Sequence, residues 1–108
     1  MADFDAEATF GKMVTAGRAL IGDVWGKIET FALPELKKIC LQIAELADPA
    51  SPWDAEEKKM LFDMQVRSAI GIIVAMTALT MKLVQDAINQ VLGAVRDLIN
   101  GAVGIALV

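Results

Sequence analysis

The chain has 108 residues with a formal net charge of −4, one cysteine, no histidine or tyrosine, and a hydrophobic fraction of 56% before its eight glycines are counted. That length supports one small domain. Basic residues sit beside acids, as in Glu35-Leu36-Lys37-Lys38 and Glu56-Glu57-Lys58-Lys59, so no basic face with interleaved aromatics exists to hold a nucleic acid, and without histidine the usual zinc sets are unavailable.

The apolar content, glycine included, lies well above the ~45–50% usual for soluble domains. A chain this short covers such a surplus poorly by itself, which implies a partner surface or lipid. Charge is placed unevenly. From residue 68 onward only Lys82, Asp86, Arg96 and Asp97 are charged and they cancel, so the negative balance sits in 1–67. The opening MADFDAEATF is acidic where a secretory signal needs a basic start and an apolar run. Synthesis in the cytoplasm without a cleaved signal peptide is expected, with a final location in an assembly or at a membrane.

In chain order, Asp3 or Asp5 caps a first helix whose apolar stripe runs through Phe4, Ala8, Met13 or Val14, Leu20 or Ile21, Val24 or Trp25, Ile28 and Phe31. Gly11, Gly17, Gly22 and Gly26 interrupt it, each weakening the helix by roughly 1 kcal/mol relative to alanine, so packing must hold it together. Gly22 and Gly26 have the GxxxG spacing of closely packed helices, with Asp23 between them arguing against lipid. Pro34 predicts a kink or break. A second helix follows over 34–47, with Leu36, Ile39, Cys40, Ile43, Leu46 and Ala47 on its apolar face and Glu35, Lys38, Gln42 and Glu45 opposite. Cys40 reads as a buried small hydrophobe, since no base is present to activate it.

Residues 48–53 form a turn, and Ser51-Pro52 with Asp54 reads as a cap followed by proline at the first helical position. A third helix over 54–100 has no evident stop, which makes it roughly 70 Å long if unbroken. Its stretch 68–81, SAIGIIVAMTALTM, carries no charge and predicts burial nearly all round; it is short for a confident membrane span. Phe62, Val66, Ala69, Ile73, Met76, Leu83 or Val84, Ile88, Val91, Val95 and Leu98 share one seam. The opposite stripe is polar at Lys82, Gln85, Asp86, Asn89, Gly93, Arg96 and Asn100, and becomes small towards the amino terminus at Ser68, Gly71, Ala75 and Ala78. Small residues at that spacing predict close approach of another helix. The uncharged tail 98–108, with Gly101 and Gly104, is expected to bend and dock against a neighbour.

Nothing here assembles a reaction centre. Asp54, Glu56, Glu57 and Asp63 suit helix capping and solvation, and Lys82 with Asp86 makes an i, i+4 pair on a solvated stripe. Met60, Met64, Met76 and Met81 suit an adaptable packing surface, and Trp25 and Trp53 suit either lipid interfaces or helix-end anchors. The expected fold is therefore all-α, a helical hairpin of two or three helices with one long apolar C-terminal helix, completed by oligomerisation. The expected function is that of a non-enzymatic self-assembling subunit of a filament, virion or secretion-associated structure. Its interface comprises Gly71, Ile72, Ala75, Ala78, Leu79, Ile105, Leu107 and Val108, and its partner is itself, without cofactor, nucleic acid or small-molecule substrate. Two alternatives are a membrane-inserted hairpin or pore using 68–95 and 98–108, and a small acidic inhibitor of another protein.

Overall fold

The computed structural model describes residues 4–108, and among them every regular element is helical. Asp5 caps α1 (Ala6–Leu20), its side chain accepting the N–H of Ala8 at 2.9 Å. The chain reverses at Gly22, whose φ of 68° and ψ of −138° suit only glycine, and enters α2 (Asp23–Ala47). The first break is thus at Gly22, and the one expected at Pro34 does not occur. Pro34 sits on the solvent side of α2, where water can meet the carbonyl of Thr30 that it leaves without a donor, while buried Ile28, Ala32, Leu36 and Ile39 hold the helix on both sides of it.

Asp48 ends α2 and its carboxylate accepts the N–H of Ala50. The next cap is Asp54, three residues later than Ser51-Pro52 suggested: Asp54 Oδ1 accepts from Glu57 N–H at 2.8 Å and Glu57 Oε1 accepts from Asp54 N–H at 3.1 Å. This reciprocal box starts α3 (Ala55–Thr77). The long third helix then divides. Ala78 takes the left-handed conformation at φ 59°, ψ 16°, which strains a residue with a side chain by ~1–2 kcal/mol. Thr80 caps α4 (Met81–Ala94) by accepting the N–H of Leu83 at 3.2 Å. A second break at Val95 leads into α5 (Arg96–Val103).

α2 is the axis of the bundle and touches each of the other helices. Side-chain pairs define the directions. Met13 meets Cys40 and Arg18 meets Glu29, so α1 runs antiparallel to α2; Gln42 Nε2 donates to the carbonyl of Leu61 at 3.1 Å, so α3 does too. α4 returns along α3, with Asn89 and Leu92 facing the cleft that Phe62 and Val66 line, and covers α1. Met13, Ile28, Leu36, Ile39, Ile43, Leu46, Ile73, Ile88 and Ile99 are fully buried between these helices. Gly17 makes one close approach possible: the Trp25 ring lies 2.6 Å from where a β-carbon would stand. Gly22 and Gly26, the pair with GxxxG spacing, have open space there instead.

Two expected faces are revised. Glu35 belongs to the interior side of α2: its Oε2 reaches out to Lys38 Nζ at 3.2 Å, and its Oε1 has no hydrogen-bond partner among the described residues. In the seam, Leu98 and Met76 are exposed. Ile99 is buried in place of Leu98, eleven residues on from Ile88 and so in phase with the buried side of α4.

Candidate functional site

α3 buries Phe62, Val66, Ala69, Ile70 and Ile73, and its other side faces solvent. The expectation that 68–81 is buried all round is therefore corrected: the stretch is apolar on both sides, but the chain supplies helices to cover only one. The outward side carries Met60, Met64, Ser68, Gly71, Ile72, Ala75 and Met76, which together spread over roughly 160° of the helix circumference. Met60, Met64 and Met76 are 59–63% exposed and Ile72 is 39% exposed. Arg67 at its edge is paired with Asp63 at 2.9 Å, and no further charge occurs before Lys82. The face continues over the elbow through Ala78 to exposed Met81 and Leu83. Lys82 and Asp86 pair beside it at 3.2 Å, both well exposed.

Among the described residues, no other helix packs on the small residues of this face. Gly71 has no atom within 4 Å of where a β-carbon would lie, and Ala75 and Ala78 are exposed. The eight residues expected to form an interface thus fall into two places. Gly71, Ile72, Ala75 and Ala78 lie on the outward side of α3 and its elbow, with Leu79 half-buried against the core. Ile105, Leu107 and Val108 lie elsewhere. Gly104, at φ 84°, turns the chain back after α5, so Ile105 and Leu107 pack on the core of their own chain. Leu107 and Val108 help line a cleft of about 270 Å³ with Lys59, Phe62, Val66 and Leu92. Residue 62 is roughly 24 Å along α3 from residue 78. The tail does bend at a glycine and dock in a groove, but the groove is its own.

Asn100 holds that tail. Its Oδ1 accepts from the N–H groups of Leu107 at 2.9 Å and Val108 at 3.1 Å, and its Nδ2 donates to the carbonyl of Val108 at 3.2 Å. Sequence reasoning placed Asn100 on a solvated stripe and missed this, because the contact depends on the turn at Gly104. Asn100→Ala is expected to free the Leu107 and Val108 amides to exchange at nearly unprotected rates while α1–α4 keep their protection, as hydrogen exchange followed by NMR will show.

Cys40 is 1% exposed, its Sγ 3.5 Å from Met13 Sδ, and burial pushes its thiol up to about 11. Since the thiolate is the reactive form, alkylation of the native chain at pH 8 is expected to run about a hundredfold or more slower than in denaturant. Native labelling at the denatured rate would mean that α1 opens freely from α2.

The acidic cluster has structural work. Asp54 and Glu57 form the capping box, and among the described residues no three of the His, Cys, Asp and Glu side chains gather as a ligand set. Trp25 covers Gly17 and Trp53 packs at the margin of the core. The chain matches no protein-family model, and neither the curated proteins nor the solved structures include one significantly similar to it. What the arrangement offers chemically is a methionine-rich exposed side of α3 that carries no charge from Ser68 to its end.

Proposed function

We propose that the chain is a non-enzymatic subunit that works by self-assembly in a filament, virion or secretion-associated structure, with the outward face of α3 as the contact between copies. The observation that carries this reading is the open, uncharged second half of α3, where Gly71 and Ala75 leave room for a neighbouring backbone and Ile72 and Met76 stand beside them in water. An apolar strip of this kind on a helix is costly to leave wet and favours association. Methionine adds a deformable surface that packs against varied shapes.

A second reading, insertion of α3 into lipid, is favoured by one observation. α3 is 23 residues long, and its most apolar 18-residue window has a mean hydropathy of 1.4 with only 28% of it buried. That length and composition suit a membrane span. Against it stands the inner face of α3, which already covers α2 and α4. Carbonate extraction followed by sedimentation in detergent-free buffer separates the two readings. The assembly reading expects a soluble protein that sediments faster as its concentration rises. A protein that stays with the membrane pellet overturns it.

A further inference from the structure

The connection between α3 and α4 consists of Ala78, Leu79 and Thr80, with neither glycine nor proline. Ala78 is the one non-glycine residue with positive φ among the described residues. All three residues are accepted inside an α-helix, alanine best of all. Local sequence therefore does not demand a turn here, and the turn is made against the conformational preference of Ala78.

The hydrophobic phase also runs through the turn. α3 buries Phe62, Val66, Ala69, Ile70 and Ile73, and α4 buries Val84, Ala87, Ile88, Val91 and Leu92. Ile73 and Val84 are eleven residues apart, within a few tenths of a residue of three helical turns. The two buried sets consequently lie on one side of a single continuous helix. A hairpin imposes no such relation, because each helix turns its apolar side inward independently of the phase across the loop.

From the strained, breaker-free elbow and the unbroken phase, we infer that residues 78–80 are a hinge and that the chain forms a domain-swapped dimer. In it 55–94 runs as one straight helix, and α4 and α5 of each copy pack on α1, α2 and α3 of a second copy. This rests on the self-assembly reading and specifies the element exchanged. Straightening returns Ala78 to the right-handed helix and carries the hydrogen-bond ladder through 78–80. The contacts that α4 makes with α1 and α3, and α5 with α2, are regained in the partner copy. Two side chains oppose it. The Thr80 hydroxyl accepts from Leu83 N–H, and the Thr77 hydroxyl accepts from Leu79 N–H at 3.3 Å; both bonds serve the bent form.

Spin labels on the full chain carrying Lys59→Cys and Asn89→Cys test the exchange, since both positions line one cleft in the bent chain and Cys40 is buried from the reagent. In a straight helix those positions are thirty residues apart, roughly 45 Å. With doubly labelled protein diluted into excess unlabelled protein, the expected result is a concentration-dependent dimer that shows the ~45 Å separation and a monomer that does not. Ala78→Gly, which relaxes the elbow and weakens the straight helix, is expected to lower dimer association about tenfold per hinge. Thr80→Ala, which removes the cap, is expected to raise it. A dimer showing only the short separation overturns the exchange and leaves surface-to-surface assembly standing. A dimer indifferent to Ala78→Gly overturns the hinge. A chain that stays monomeric at every concentration, with Thr80→Ala as well, overturns both the exchange and the assembly reading.

Discussion

Replacing Gly17 with alanine is expected to lower the thermal midpoint by about 5–15 °C, the effect of ~1–3 kcal/mol of overpacking in a domain of this size. A β-carbon there would lie 2.6 Å from three atoms of the Trp25 ring, and neither partner has an easy escape. The indole is rigid and only 3% exposed, and α1 and α2 are joined by a two-residue turn at Ile21 and Gly22, so one helix cannot slide from the other without disturbing the reversal. Gly11 is the control. It lies in the same helix with open space at its β position, and Gly11→Ala is expected to raise stability slightly through better helix propensity. Differential scanning calorimetry of the two variants checks both signs. Equal midpoints would mean that α1 and α2 do not meet through Gly17.

The double substitution Ile72→Glu with Met76→Glu is expected to reduce the assembled protein to monomer and dimer, with unchanged helical circular dichroism and a folding free energy within about 0.5 kcal/mol of the parent. Both side chains already stand in water in the single chain, so the folded state loses little. Between copies each buried side chain of this size contributes ~1.5–3 kcal/mol, and two buried carboxylates oppose contact further, so each lateral contact weakens about a hundredfold or more. Leu41→Glu, at a position on α2 that is 52% exposed, serves as the control and is expected to leave assembly intact. Sedimentation velocity reads the outcome. Full-size assemblies from the double variant would remove the α3 face from the interface.

The helical class and the loop at 48–53 were legible because both depend on local signals: period, Pro49 and Pro52, and paired carboxylates around a helix start. The burial of Cys40 was legible for the same reason, since its apolar neighbours recur at helical spacing. The elbow was not. Ala78-Leu79-Thr80 contains no breaker, and the seam from Phe62 to Val91 keeps phase across it, so every local rule favours one long helix. What bends the chain is tertiary: α4 gains the surface of α1 and the free edge of α3. Pro34 erred in the opposite direction, a strong local breaker outweighed by a packed face on its far side. The outward face of α3 was half legible. Its small residues stood out as a stripe, but a stripe of small residues in a sequence does not say whether the neighbour it admits belongs to the same chain. Among the described residues, no helix occupies it.

The exposed thioethers of α3 and its elbow bear on how the protein ages. Met60, Met64, Met76 and Met81 stand in solvent, whereas Met13 is fully enclosed. Peroxide adds oxygen to an accessible methionine sulfur and leaves a polar, chiral sulfoxide. Oxidation would therefore mark this one face with dipoles while sparing the core, and a preparation stored without protection from air would keep its fold and lose the apolar character of α3.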